Sequence, residues 1–213
     1  GGSVLASDRI YHAINTLKLT GKPVYTSMGT IATSGGYYIA SNSDKIYANT
    51  TSLTGSIGVI SSWWSFNILN NELGITNENI STGKYMGIYS SSSAISPETK
   101  SMIQQHQDRF YQEFVQKIMS NRHLSFKESY SIAQGQIFTG KQASTIKLVD
   151  KIGSFYDAVD DMATELDINN PKVVFLRPKS KFSVSDILNQ SAQAIANYTK
   201  KIPSIQFKLP FNL

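Results

Sequence analysis

The sequence predicts an α/β fold, and three features carry that prediction. Residues 5–40 read as helix, strand, tight small-residue turn, helix. Residues 44–60 repeat a strand and a glycine-bearing turn in shorter form, and several later segments open with clear helix-start signals. Short apolar strands alternating with helices are the α/β pattern. The 213 residues are 40% hydrophobic and 16% charged, enough for a sizeable core and too ordered in composition for disorder.

Taken in order, Ile10, Ile14 and Leu17 recur at helical spacing within 5–18, with Ser7 or Asp8 as the expected cap and Gly21 as the stop. Pro23 opens a short strand, Val24 to Met28, closed by Gly29. Small residues from Thr30 to Gly36 form the turn, and Tyr37 to Ala40 continue as a helix. Asp44 to Ala48 reads as a strand, and Thr54 to Ile60 as a turn followed by another. Residues 63–73 have mixed helical spacing ended by Gly74, and Ser81 to Met86 reads as extended. Ser96-Pro97-Glu98 starts a long helix with Met102, Ile103, Phe110, Phe114 and Ile118 on its apolar face. Ser125 and Glu128 form a capping box for the next helix. Gln136 to Gly140 is a short strand or turn whose Thr139 or Gly140 caps 141–147, and the last helix spans 154–166. Val173 to Leu176 has strand character, followed by an amphipathic stretch at 183–199. The expected division is a domain over 1–170 and a C-terminal extension, with a short strand and amphipathic tail, over 171–213.

Composition narrows the chemistry. There is no cysteine, which removes thiol nucleophiles, disulfides and thiolate metal sites. His12, His106 and His123 are far apart, with no metal-binding spacing. The net charge is +5, and Lys172, Arg177, Lys179, Lys181, Lys200, Lys201 and Lys208 concentrate in the C-terminal part, but a compact patch of charges interleaved with aromatics is not evident, so no nucleic-acid partner is expected. A solvated surface accounts for them, with acidic lipid headgroups as the alternative. No window approaches 18 apolar residues. The abrupt start at Gly1-Gly2 reads as a fragment lacking an N-terminal portion.

The segment that points to chemistry is Thr33-Ser34-Gly35-Gly36-Tyr37-Tyr38. A serine hydroxyl is a weak nucleophile and needs a base, an exposed position and donors for the oxyanion. Gly35 and Gly36 allow a sharp turn that brings main-chain N–H groups near a bound carbonyl, and the following helix adds its positive end. Without cysteine or a suitably placed histidine, the natural base is a lysine with a pKa lowered by burial. A plain Ser-Gly-Gly turn is the structural alternative.

The stretch from Thr33 to Ile60 resembles the nucleophile region of the signal peptide peptidase A family (peptidase family S49), serine-lysine proteases with a ClpP/crotonase-like fold. Gly1-Gly2-Ser3-Val4, Lys22-Pro23-Val24-Tyr25, Thr54 to Ile60, Gly83-Lys84-Tyr85, Gly140 to Ala143 and Leu148-Val149-Asp150 match the family in order, covering residues 1 to about 165. The resemblance implies a spiral of repeated β-β-α units with flanking helices, N-terminally incomplete. It implies Ser34 as nucleophile, the Gly2 and Gly35 amides as oxyanion donors, and Ser56 as the residue orienting the lysine. The family's run commonly reads Gly-Lys-Tyr-Lys, with the second lysine as base. Here Met86 occupies that position, and a thioether accepts no proton. Three explanations compete: activity lost at Met86, Lys84 as substitute base about 7 Å along an extended segment, or a natural non-catalytic homologue. Impaired or lost activity is the preferred reading. The resemblance further implies peptide substrates such as residual signal peptides, a homo-oligomeric ring, membrane association through the missing N-terminal region with the domain outside the cytoplasm, and no cofactor or metal. A peptide-binding scaffold and, less favoured, a crotonase-type acyl-CoA enzyme are the alternatives; the second would need a carboxylate that 28–60 does not offer as Glu.

Overall fold

The computed structural model describes residues 1–176, apart from Asn79, Ser81, Lys84 and Tyr89. In chain order the elements are α1 (Val4–Lys18), β1 (Tyr25–Met28), β2 (Ile31–Thr33), α2 (Gly35–Ala40), β3 (Lys45–Ala48), β4 (Leu53–Gly55) and α3 (Asn67–Glu72). They continue with α4 (Pro97–Arg122), α5 (Phe126–Ile132), β5 (Ile137–Thr139), α6 (Gly140–Thr145), β6 (Lys151–Ile152) and α7 (Phe155–Glu165). The strands form two small open sheets, one ordered β1-β3-β6 and the other β2-β4-β5, and the first four strands alternate between them. β1, β3 and β6 run parallel, as do β2 and β4, while β5 is antiparallel to β4. The first two passes of the chain each give one strand to each sheet, the first ending directly in α2, and β5 and β6 then add one strand to each sheet with α6 between them. That is the repeated β-β-α spiral, built into an α/β fold.

α1 starts earlier than its pattern implies. Ser3, not Ser7 or Asp8, is the N-cap, its hydroxyl accepting from the Ala6 amide at 3.4 Å. Ile10 and Leu17, expected to face the core, are 47% and 43% exposed, whereas Ser7 is 5% exposed. The buried side of α1 is the side of Ser7 and Tyr11, because close approach to α2 favours a small residue over a branched one. Tyr11 then packs edge-on against Tyr38. Among the described residues, the stripe of Ile10 and Leu17 stays largely uncovered.

The core gathers between the two sheets and the helices. Tyr37, Ile46, Ile57, Ile118 and Leu148 are fully buried. In α4, Phe114, Val115 and Ile118 are buried but Phe110 is exposed, so the core lies under the C-terminal half of that helix. There the buried Arg122 donates through Nε to the Lys147 carbonyl at 2.9 Å and grips Asp150 with both terminal nitrogens. Asp150 also accepts from the Ile46 amide at 2.7 Å, tying α4 to β3 through one carboxylate. The capping boxes at Ser125–Glu128, Thr139–Gln142 and Ser154–Asp157 all form.

Several expectations are corrected. The small-residue run contains β2, a strand sequence patterning hid because Ala32 and Thr33 are small. No strand forms over 57–60; Ile57 drops into the core and Ile60 stands in solvent. The segment expected to be extended instead turns over 85–88, with Met86 donating to the Gly83 carbonyl at 3.2 Å and Ile88 to that of Tyr85. The chain divides into two compact units, Gly1–Pro171 and Lys172–Leu213. In the second, residues 172–176 are exposed and carry no regular structure, so the short strand expected at 173–176 is absent. The amphipathic stretch 183–199 lies outside the described residues.

Candidate active site

β2 and β4 run parallel with Thr33 opposite Gly55. The next residue of each strand is therefore Ser34 and Ser56, carried to the same end of the sheet on neighbouring strands about 5 Å apart. The ladder continues one step further, with the Ser34 amide donating to the Gly55 carbonyl at 2.8 Å. Ser56 is fixed from its other side, its amide donating to the Gln136 carbonyl at 2.7 Å. The buried Thr54 locks the pair of strands by donating its hydroxyl to the Ala32 carbonyl at 2.8 Å.

Both serines leave their strands with positive φ. Ser34 has φ 52° and ψ −116°, and Ser56 has φ 51°. For a residue with a Cβ such a conformation costs about 1–3 kcal/mol and persists only where surrounding contacts impose it. At Ser34 the contacts are the Gly55 bond before it and the Tyr38 amide donating to its carbonyl at 2.8 Å after it. Serine is a favoured N-cap, yet the Ser34 side chain makes no capping bond to α2. Ser34 is half-buried.

The Gly1-Gly2 segment lies beside this turn. A Cβ placed on Gly1 would be 3.7 Å from the Ser34 Cβ, and one placed on Gly35 would be 3.4 Å from the Gly2 nitrogen. Gly2, Ser34 and Gly35 are thus brought together, and among the described residues the Gly2 and Gly35 amides take no backbone acceptor. Unpaired first-turn amides are inherent to a helix start. α2 is six residues long, so the individual amides matter here more than the helix dipole expected from the sequence.

Below the turn, Tyr37 is fully buried and donates to the Leu148 carbonyl at 2.9 Å; burial pushes its pKa upward. Tyr38 donates to Asp8 Oδ1 at 2.7 Å, and Lys117 reaches the same oxygen at 2.7 Å. Lys117 Nζ lies 4.1 Å from the Tyr11 ring centroid and 4.9 Å from that of Tyr38. Desolvation pushes the Tyr38 hydroxyl up to about 12, while the Lys117 hydrogen bond holds Asp8 below the usual carboxylate range. This node was not foreseen from sequence. Its signal is the recurrence of Asp8 and Tyr11 on one side of α1 with a lysine at the matching level of α4.

The base position is different. The Met86 side chain is 68% exposed, within the turn that replaces the expected extended segment. Residue 84 therefore cannot be placed by the alternation of a strand, and Lys84 itself lies outside the described residues. Among the described residues no cluster of His, Cys, Asp and Glu could hold a metal ion. A groove of about 510 Å³ between α4 and α5, lined by Tyr111, Val115, Met119, Phe126 and Tyr130, includes none of the predicted site residues.

A strained serine after a parallel strand, beside two glycine amides, gives the comparison its context: the sequence profile described as Peptidase family S49 matches residues 16–169. The chain belongs to peptidase family S49. This S49 chain is 32% identical over 208 residues to "Serine protease SPPA, chloroplastic" of Arabidopsis thaliana, covering 96% of the chain and 31% of that protein. It is 36% identical over 163 residues to "Protease 4" of Haemophilus influenzae, covering 75% of the chain and 26% of that protein. The S49 chain thus spans about a third or less of the length of these relatives. Among solved structures, an enoyl-CoA hydratase/isomerase from Marinobacter aquaeolei aligns with a TM-score of 0.41 at 11% identity, over 92% of this chain and 60% of that one.

Proposed function

We propose that this chain carries the nucleophile side of a serine endopeptidase acting on residual signal peptides or similar hydrophobic segments, with the general base missing at Met86. The observation that carries the reading is the Ser34 backbone: a non-glycine residue held at φ 52°, not capping its helix, next to the Gly2 and Gly35 amides. In a complete site a neutral lysine takes the Ser34 Oγ proton, and Oγ attacks the peptide carbonyl carbon. The Gly2 and Gly35 amides hold the oxyanion. The C–N bond then breaks, the amine leaves with that proton, and water cleaves the resulting ester to return the serine. Ser56, one strand away, orients the amine. In this chain the thioether at 86 accepts no proton, so acylation is impaired.

Residues 1–170 form the peptidase domain in this reading. Assembly into a homo-oligomeric ring is supported by uncovered apolar surface. On the second sheet Ile31, Leu53 and Ile137 share one exposed face, and Ile60 and Trp64 are 92% and 76% exposed. No helix of the described residues is long and apolar enough to cross a membrane. A place at the membrane, with the domain outside the cytoplasm, is carried by kinship to the family alone. No cofactor or metal enters the proposed chemistry.

A second reading, a peptide-binding scaffold, is favoured by Met86 itself. Covalent labelling with a fluorophosphonate, read by intact mass and peptide mapping, separates the two. Labelling of Ser34 that is slow in the parent and fast in Met86→Lys supports the peptidase. A folded Met86→Lys variant that stays unlabelled supports the scaffold.

A further inference from the structure

We propose that Ser7, buried in α1, is a positioning residue for the Ser34 site: its hydroxyl is the spacer that sets how far the Gly2 amide stands from the Gly35 amide. The inference rests on the reading that these two amides hold the oxyanion.

Ser7 is 5% exposed, a polar residue where the α1 pattern offers none of its larger apolar ones. Its hydroxyl donates to the Ser3 carbonyl at 3.0 Å, and its own amide donates to the same oxygen at 3.0 Å. Both bonds fix the Ser3–Val4 peptide, one unit beyond the Gly2–Ser3 peptide. On its other side the hydroxyl lies directly against Gly35. A Cβ built on Gly35 would come within 2.4 Å of Ser7 Oγ, 3.6 Å of Ser7 Cβ and 3.4 Å of the Gly2 nitrogen. One oxygen therefore holds the residue after Gly2, through the Ser3 carbonyl, by a hydrogen bond, and meets Gly35 by contact.

The next residue keeps that oxygen in place. Asp8 accepts from Tyr38 of α2 and from Lys117 of α4, so α1 is pinned to the nucleophile's helix one position beyond Ser7. This also explains why position 35 excludes a side chain. Its φ lies outside the left-handed region, and what forbids a Cβ is the Ser7 oxygen.

The test is a cycle of Ser7→Ala, Gly35→Ala and the double variant, each in the parent and in Met86→Lys, with fluorophosphonate inactivation kinetics and thermal midpoints. Ser7→Ala should lower the maximal inactivation rate about tenfold or more, leaving the half-saturating concentration nearly unchanged, because catalytic geometry tolerates little displacement. Its thermal midpoint should fall by no more than about 3 °C. Gly35→Ala should cost clearly more midpoint with Ser7 present than in the Ser7→Ala background, since only the serine oxygen clashes. A rate in Ser7→Ala within about twofold of its background, or an equal Gly35→Ala cost in both backgrounds, overturns the proposal. If no variant is labelled, the peptidase reading falls. The stability cycle still decides the Ser7 contact: coupling upholds the spacer, and additivity overturns it.

Discussion

At the scale of single residues, Ser34 combines a strained backbone with a side chain that does not cap its helix. Its left-handed φ of 52° favours glycine, and Ser34→Gly removes both the strain and the hydroxyl proposed as nucleophile. Ser34→Gly should therefore raise stability by about 1 kcal/mol, or about 2–4 °C in thermal midpoint, while abolishing labelling. Calorimetry of the two proteins checks this, and a lowered midpoint would show that the turn is not strained. Gly55, which precedes Ser56 and has φ 79°, is held more tightly: a Cβ there would lie 2.6 Å from the Phe138 ring. The sequence showed the Ser-Gly-Gly turn and the methionine at the position proposed for the base. It did not show the role of Ser7, because a serine inside an amphipathic helix reads as surface until the helix opposite is known.

At the scale of elements, α4 holds the spiral together at its C-terminal end. Asp150→Asn should cost about 2–3 kcal/mol, because Arg122 would keep its buried charge with a weaker partner; urea unfolding measures it. α1, α2 and α4 meet at Asp8, whose pKa is lowered first by the Lys117 hydrogen bond and then by that of Tyr38. A carboxylate lowered in the folded state contributes stability above its unfolded pKa of about 3.9, and that contribution is lost as pH falls through the lower folded value. Asp44 is lowered as well, with burial opposed by the Val24 amide and Lys18. The thermal midpoint should therefore hold above about pH 5 and fall steeply below about pH 4, less steeply in Asp8→Asn. Equal slopes in the two proteins would remove Asp8 from this role. Helix starts were the most legible features, since Ser96, Ser125, Thr139 and Ser154 all cap the helices that follow them. The three-residue β2 and two-residue β6 were not legible, because strands so short owe their existence to the parallel neighbour rather than to their own residues.

At the scale of the molecule, apolar surface is exposed among the described residues on α1 and after β4 as well as on the second sheet. α1 exposes Leu5, Ile10 and Leu17, and the segment after β4 exposes Ile60, Trp64, Ile68 and Leu73. Patches of this kind mark interaction surfaces. Trp64→Glu should lower the mass measured by light scattering if the second patch joins copies of the chain, and an unchanged mass would assign it elsewhere. The α/β class and the order of the family segments were readable because they rest on local pattern. What remained hidden was long-range: which strands pair, and that the chain turns over 85–88 instead of extending.

Whether Ser34 keeps a nucleophile's setting without its base is decided by turnover of a hydrophobic peptide substrate. The proteins to compare are the parent, Met86→Lys and Lys84→Ala, with Ser34→Ala as control. Little or no turnover is expected from the parent, and turnover by Met86→Lys should be lost when Ser34 is also replaced. Full turnover by the parent, abolished in Lys84→Ala, would contradict the assignment of the base to position 86.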